Sequence, residues 1–343
     1  MIPLTRPWIG DDEIAALTRV ARSGMLVQGV EVERFEATMA ELCDRRHGIA
    51  VANGTSALAL CLQALDVRGR TVAVPALTWP SPAYAAVSLG ASLHIADVEA
   101  DDWNMAPESV VDADVVIAID QFGVPVRDGF RALDVPVIED AACAIGARYA
   151  DGRPCGSLGV ASCFSFHPRK LLTTGEGGMI VTDDDALAQR LRQLRNHGQL
   201  APGQFAEAAL NHRLTDLQAA VGNAQLARLD ETLRMRREHA EAMRAALPAA
   251  TFQRVPVGAT RNEQTLGIRV ADRDAFIARC RAEGVGCGRL TYSLSEIDFL
   301  PDADTPVADA IAAEGVALPL YPHMTRDERE RVIDVVGRAL EAA

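Results

Sequence analysis

The sequence almost lacks lysine. Of its 34 basic residues, only Lys170 is a lysine and the other 33 are arginines. Arginine stays protonated in proteins, whereas a lysine whose pKa is lowered by burial or by a neighbouring cation can act as an amine nucleophile. A chain that uses arginine wherever a positive charge is wanted, yet keeps one lysine, indicates a chemical role for Lys170. The alternative is a surface cation that happens not to be an arginine.

Three further absences argue against whole classes of protein. The seven cysteines form no Cys-x-x-Cys pair and the seven histidines no His-x-His or His-Glu-x-x-His motif, which argues against a disulfide framework and a metal site. No apolar run reaches the ~18–20 residues that span a bilayer, and the N-terminus lacks a signal-peptide pattern. The net charge of −13 argues against nucleic acid or an anionic membrane as the main partner. We therefore expect a cytoplasmic protein without a metal.

What is present is an alternation of short apolar strands and helices. Runs such as Thr71–Pro75 and Val115–Ile119 have the length and β-branched content of buried strands. The pattern predicts an α/β fold, with a mostly parallel sheet covered by helices on both faces. We expect a large domain over 1–245, with a long helix from 214 to about 247 at its end. A smaller C-terminal α+β domain over 246–343 should include a strand over 285–290. Ligands bind such sheets at the carboxyl ends of the strands.

Polar residues follow the first predicted strand as Asn53-Gly54-Thr55-Ser56. Free backbone N–H groups and two hydroxyls at the start of a helix form an anion site, and Gly54 lets a phosphate approach the backbone. The alternative is ordinary helix capping by Thr55 or Ser56.

A second polar cluster, Glu139-Asp140, ends another buried strand. A buried carboxylate is costly unless it meets a cation, and Asp140 could hold a protonated ring nitrogen. The small residues Ala141 and Ala142 leave room for a flat ring. The alternative is an acid that caps the next helix.

Four further residues complete the candidate set. Trp79 follows a strand and could stack on a planar ring, although a lone tryptophan often packs in a core. Ser165 precedes Lys170 at a strand end and offers a second hydroxyl to a phosphate. Asn211 and Arg213, at the start of the long helix, could contact a ligand or cap that helix. An anion site, a stacking ring, an acid and one amine together suit pyridoxal 5'-phosphate.

The chain resembles the DegT/StrS sugar aminotransferases, which are fold-type I pyridoxal-phosphate enzymes of the aspartate aminotransferase superfamily. The segments Arg6–Gly10 and Leu318–Pro322 extend the resemblance over nearly the full length. The motifs that carry it are, in chain order, Asn-Gly-Thr-Ser-Ala-Leu (53–58), Pro-Ala-Leu-Thr-Trp (75–79), Glu-Asp-Ala-Ala (139–142), Ser-Phe-His-Pro-Arg-Lys (165–170), Thr-Gly-Glu-Gly-Gly (174–178), Arg-Asn-His-Gly (195–198) and Asn-His-Arg-Leu-Thr-Asp-Leu-Gln-Ala-Ala (211–220).

The resemblance implies a seven-stranded sheet and a role for each motif. Lys170 would form the Schiff base with the cofactor and move the substrate proton, which calls for a lowered pKa. Asp140 would pair with the pyridinium, and Asn211 would reach the cofactor phosphate of the other subunit in a homodimer. The cofactor-binding set is Gly54, Thr55, Ser56, Trp79, Asp140, Ala142, Cys143, Ser165, Lys170 and Asn211. The substrate-binding candidates are His167, Arg213 and Tyr321.

Two departures from the family concern the cofactor and the substrate side of the site. Cys143 stands where the family often has a glutamine near the phenolic oxygen of the cofactor. The C-terminal domain lacks the family's histidine-containing strand and its His-Tyr-Pro segment, because residues 264–268 and 288–292 read Gln-Thr-Leu-Gly-Ile and Gly-Arg-Leu-Thr-Tyr. These segments shape the substrate side, so a typical nucleotide sugar need not be the acceptor.

The function expected from these observations is transamination. Glutamate or glutamine would donate the amino group, and the acceptor would be a keto group on a nucleotide-linked deoxysugar or a cyclitol, in the biosynthesis of secondary metabolites or cell-surface sugars. The alternatives are a carrier-bound or small keto acceptor, a sugar dehydratase, and a non-catalytic regulator that binds the cofactor. Dehydratases of the family carry histidine in place of Lys170.

Overall fold

A computed structural model describes residues 1–341 of the 343. Its strands are β1 (His47–Val51), β2 (Thr71–Pro75), β3 (Leu77–Thr78), β4 (Ser92–Ala96), β5 (Val115–Ile119), β6 (Val137–Asp140), β7 (Ala161–Ser165), β8 (Gly178–Thr182), β9 (Gln199–Ala201), β10 (Gln204–Phe205), β11 (Thr251–Phe252), β12 (Leu266–Arg269), β13 (Gly288–Arg289), β14 (Tyr292–Ser293) and β15 (Gly315–Leu318). Its helices are α1 (Asp11–Ser23), α2 (Val30–Leu42), α3 (Gly54–Ala64), α4 (Ser81–Ser88), α5 (Asp185–Arg195), α6 (Asp216–Leu226), α7 (Leu229–Ala246), α8 (Arg273–Ala282), α9 (Pro306–Glu314) and α10 (Arg326–Glu341).

The central sheet has seven strands in the order β1-β8-β7-β6-β5-β2-β4. Strand β8 runs antiparallel to both of its neighbours, and the other pairings in the sheet are parallel. The expected mostly parallel seven-stranded α/β sheet is therefore confirmed.

Both faces of this sheet are buried, which explains the uninterrupted apolar strands. In β5, Val115, Ile117 and Ile119 pack into one hydrophobic core, whereas Val116 and Ala118 pack into the core on the opposite face. Successive side chains of a strand point to opposite faces, so a strand between two helical layers must be apolar at every position.

The C-terminal part builds a second, four-stranded sheet in the order β11-β12-β15-β13. Its core includes Phe276 of α8 and Val332 of α10, together with Ala240 and Met243 from the end of α7. The segment that carries β14 instead packs beside the central sheet, because β14 pairs with β3 and Leu294 lies in one of the hydrophobic cores that cover that sheet. The domain boundary predicted at 245/246 falls at the end of α7.

Several local expectations differ from the structure. The long helix expected from 214 to about 247 is two helices, α6 and α7, separated at residues 227–228. The strand expected over 285–290 is reduced to β13, and Val285 instead forms an isolated parallel bridge with Ile2. Helix α9 and the β9–β10 hairpin were not predicted. No helix among residues 1–341 is both long and apolar enough to cross a membrane.

Candidate active site

A cavity of about 590 Å³ opens at the carboxyl edge of the central sheet. The last residues of three neighbouring parallel strands, Ile119 of β5, Asp140 of β6 and Ser165 of β7, all line it. Segments of the C-terminal part close its other side. Nine predicted site residues line this cavity: Gly54, Thr55, Trp79, Asp140, Ala142, Cys143, Ser165, His167 and Lys170.

Lys170 lies in the turn that follows β7. Its backbone N–H donates to the carbonyl of His167 at 2.8 Å, and its Nζ lies 3.0 Å from the Sγ of Cys143. Burial lowers the pKa of Lys170, but the contact with Cys143 and the nearby Asp140 raise it, and the net shift is upward. This is opposite to the lowered pKa that we expected.

Asp140 is 6% exposed and occupies the last position of β6. It accepts a hydrogen bond from the backbone N–H of Ala142 at 3.1 Å. Burial raises the pKa of this carboxyl, and the charge of Lys170 opposes that rise. A cationic N–H in the cavity would therefore stabilise the ionised carboxylate.

Glu139, the preceding residue, points to the opposite face of the sheet and is fully buried. Its carboxylate accepts hydrogen bonds from the hydroxyls of Tyr149 and Ser162, each at 2.6 Å, and from the backbone N–H groups of Gly156 and Leu158 at 2.7 and 2.8 Å. The two acids of the Glu-Asp pair thus have different tasks. Glu139 holds the loop after β6 in place, and Asp140 faces the cavity.

The anion site forms at the start of α3. Asn53 caps this helix by accepting from the backbone N–H of Ser56 at 2.8 Å, so the alternative to an anion site, capping by Thr55 or Ser56, is wrong. A Cβ atom on Gly54 would lie 2.8 Å from the Cβ of Ser165, so glycine is needed for the helix to approach β7 this closely. The hydroxyls of Thr55 and Ser81 lie 3.0 Å apart. Hydroxyls and helix N–H groups converge here, and this donor set fits a phosphate.

Trp79 is at the rim of the cavity and is not a core residue. Its side chain is 60% exposed, and its ring meets the ring of Tyr292 edge-on, with centroids 5.6 Å apart. The pairing of β14 with β3 brings these two rings together.

Four predicted residues do not line the cavity of this chain. The Oγ of Ser56 lies 3.0 Å from the Nδ1 of His212, and Tyr321 is fully buried beneath Arg6. Asn211 is exposed, and Arg213 lines a separate crevice beside Asn196. An exposed Asn211 is compatible with a contact to a second subunit.

Three residues outside the predicted set lie at or beside the cavity. The Nε2 of Gln264 donates to the carbonyl of Arg169 at 2.7 Å, and the Nδ2 of Asn262 donates to the carbonyl of Cys143 at 2.9 Å. Arg289 lies over the ring of Tyr292, with 4.1 Å from its guanidinium carbon to the ring centroid. Gln264 and Arg289 lie in the segments 264–268 and 288–292, which depart from the family, whereas Asn262 reaches Cys143 through a contact distant in sequence.

Comparisons with known proteins agree with this geometry. A model of the DegT/DnrJ/EryC1/StrS aminotransferase family matches residues 7–337. The aminotransferase TlmJ from Streptoalloteichus hindustanus is 29% identical with a TM-score of 0.94, and the match covers 100% of this chain and 99% of that chain. DesV from S. venezuelae is 30% identical with a TM-score of 0.90, covering 96% and 94%. A 3-amino-5-hydroxybenzoic acid synthase is 28% identical with a TM-score of 0.89, covering 98% of both chains.

Proposed function

The chain belongs to the DegT/DnrJ/EryC1/StrS aminotransferase family, and on that premise we propose that it moves an amino group from glutamate or glutamine to a keto group of a nucleotide-linked deoxysugar or a cyclitol. Membership and the solved relatives make it a pyridoxal 5'-phosphate-dependent transaminase. The observation that carries the proposal is the single lysine, which lies in one cavity with the buried Asp140 and the anion site of α3.

The residues of the cavity fit this cofactor. The N-terminus of α3 and the Ser165 hydroxyl would hold the phosphate, Asp140 would hold the proton on the ring nitrogen, and Trp79 would stack on the ring. When bound, the cofactor supplies an aldehyde that takes up the amino group and a ring that withdraws electrons. Lys170 is the base that takes the proton from the Cα of the amino donor. In the second half of the reaction, it gives a proton to the carbon that receives the amino group.

We assign the acceptor to the side of the cavity formed by Arg169 and Arg289. Arg169 is exposed and adjoins Lys170, while Arg289 is held by the Tyr292 ring, by the carbonyl of Thr291 at 2.8 Å and by an ion pair with Glu296. Guanidinium groups bind carboxylates and phosphates well. An acceptor with a phosphate or carboxylate group therefore suits this wall.

The first experiment compares the wild-type chain with Lys170→Arg. The purified wild-type protein with cofactor should show the visible absorbance band of the lysine-bound cofactor, and glutamate or glutamine should bleach it. Lys170→Arg keeps the charge but removes the nucleophile, so we expect the band and the transamination to disappear while the circular dichroism spectrum stays the same. Appreciable turnover by this variant would contradict the assignment of Lys170.

The second experiment screens acceptors with the donor-loaded enzyme, scored by return of the band. The candidate acceptors are keto-sugar nucleotides, keto-cyclitols and carrier-bound ketones. If only a non-sugar ketone restores the absorbance band, that ketone replaces the proposed acceptor. A dehydratase would release a deoxygenated product without a new C–N bond, which product analysis detects.

The proposal includes a homodimer with shared sites. Large apolar side chains are exposed around the start of α2 and near the β9–β10 hairpin: Met25 (70%), Val27 (66%), Val30 (72%), Phe205 (62%) and Leu210 (71%). Exposed apolar residues in such a group favour a protein interface, and Asn211 adjoins them. We expect Lys170→Arg alone to be inactive and Asn211→Ala alone to be weakly active. Activity should return when the two are mixed, because a mixed dimer has one site with both native residues. No gain, in a mixture shown to exchange subunits, would contradict shared sites.

A further inference from the structure

Cys143 differs from the other cysteines in its exposure and in its neighbour. The six others are buried, whereas Cys143 is partly exposed and lines the active-site cavity. Its Sγ lies 3.0 Å from the Nζ of Lys170, the only lysine in the sequence. The transfer of an amino group uses Lys170 but needs no thiol. The site therefore has a contact between a thiol and an amine that transamination does not require.

Backbone contacts on both sides hold this pair in place. The amide of Asn262 donates to the carbonyls of Cys143 and Ile145, at 2.9 and 2.8 Å. On the other side, the backbone N–H of Lys170 donates to the carbonyl of His167 at 2.8 Å. The thiol and the amine are therefore brought together by the turns that carry them.

A thiol next to a cation, at a solvent-accessible position, is the environment in which cysteines react with oxidants. A hydroperoxide converts such a thiol to a sulfenic acid, and sulfenic acids condense with neighbouring nitrogen nucleophiles. We propose that Cys143 is an oxidation site whose sulfenic acid is captured by the amine of Lys170, giving a reversible sulfur–nitrogen cross-link.

The reaction balances with the hydroperoxide as oxidant. The thiol sulfur takes one oxygen from the peroxide, which is reduced to water or an alcohol. The amine of Lys170 then attacks that sulfur, the S–N bond forms, and the oxygen leaves as water. The protein thus loses two hydrogens in total. A thiol reductant breaks the S–N bond and restores both side chains.

One consequence concerns the cofactor, and it alone rests on the proposed function. A cross-linked Lys170 has no free amine, so the cross-link and covalent loading of the cofactor exclude each other. The cross-link can form only while the amine of Lys170 is free, so it cannot form in the loaded enzyme.

The test treats the full-length protein with hydrogen peroxide, with and without prior loading of pyridoxal 5'-phosphate. We expect the cofactor-free protein to become lighter by two hydrogens, to yield a peptide that joins Cys143 to Lys170, and to revert with a thiol reductant. We expect the loaded protein to yield no joined peptide. These are mass measurements without substrates, so they remain interpretable if transamination fails.

Matched variants separate this product from disulfides of equal mass. The Sγ atoms of Cys61 and Cys163 lie 3.7 Å apart, so Cys61→Ser removes a disulfide there but should leave the joined peptide. Cys143→Ser and Lys170→Arg should each abolish the joined peptide, with circular dichroism as the check on folding. Wild-type protein that yields only Cys61–Cys163 disulfide, or over-oxidised Cys143 with a free amine, would overturn the proposal.

Discussion

Two adjacent acids on β6 provide a test in which one residue is the control for the other. Glu139 and Asp140 point to opposite faces of the sheet, and both are buried. Asp140→Asn and Glu139→Gln remove the same charge from the same strand at nearly constant volume. We expect the first change to affect catalysis and the second to affect stability.

The expected loss in Asp140→Asn follows from the hydrogen bond that the carboxylate would make to the protonated ring nitrogen. A hydrogen bond to a charged group contributes about 1.5–3 kcal/mol, and about 1.4 kcal/mol corresponds to tenfold in rate. We therefore expect kcat to fall about 10- to 150-fold. Burial already raises the pKa of Asp140, which means that the fold disfavours the ionised form. The amide should leave the cofactor-free protein as stable as the wild type, or more so.

Glu139→Gln should have the opposite effects. Four donors point at the two oxygens of Glu139, and a glutamine replaces one of those acceptors by an N–H₂ group. Each donor left unsatisfied costs about 1–3 kcal/mol, so the free energy of unfolding should drop by at least that amount. Urea unfolding of the cofactor-free proteins and kcat of the loaded proteins are the two measurements. Equal loss of stability in both variants, with full activity in Asp140→Asn, would refute the assignment of the two faces.

Two further predictions concern the other groups of the cavity. Arg289→Gln should raise KM for the anionic acceptor and leave the bleaching by the amino donor unchanged; an unchanged KM would remove Arg289 from the acceptor site. Covalent loading of the cofactor requires the unprotonated amine of Lys170, so its rate should rise with pH. Because the contact with Cys143 raises the pKa of Lys170, Cys143→Ala should move this profile to lower pH, and stopped-flow absorbance at a series of pH values checks the direction.

The sequence predicts best those elements whose environment is fixed by local pattern. Strands β2 and β5 match their expected bounds, because a strand covered on both faces must be apolar throughout and is easily delimited. The long helix was wrong for a reason outside its own sequence. Arg228, at the junction of α6 and α7, donates to the carbonyl of Trp8 at 2.7 Å and forms an ion pair with Glu13. Contacts with the distant N-terminal segment therefore hold the chain where the helix is interrupted.

The sequence of helix α9 does contain a helix-start signal. Pro306 occupies its first turn, a position that favours proline because the missing N–H would be unpaired there in any case. The reduction of the strand expected over 285–290 had no such signal. Val285 bridges to Ile2, and the pairing of residues so far apart in sequence cannot be inferred from the composition of either segment.

The active site likewise has one side that local sequence motifs predict and one side that they do not. The cofactor side consists of short motifs at the ends of neighbouring strands, and the sheet order alone brings Asp140 and Ser165 together. The proposed acceptor side consists of side chains such as Gln264 and Arg289, which reach the cavity through the packing of the C-terminal part against the central sheet and its helices. The cofactor and the reaction type could therefore be predicted from the sequence, whereas the acceptor could not.

Because the sequence has a single lysine, any reaction of a side-chain amine in this protein can be assigned to Lys170. Apart from the N-terminus, the chain has no other primary amine, so a cofactor bound covalently to a side chain must be bound to Lys170. The same fact restricts the cross-link with Cys143 to one amine, because no neighbouring lysine can substitute. Lys170→Arg therefore removes both reactions at once, while Cys143→Ser removes only the second. A Cys143→Ser protein that still binds the cofactor covalently, but forms no cross-link with peroxide, would show that these two reactions of Lys170 are separable.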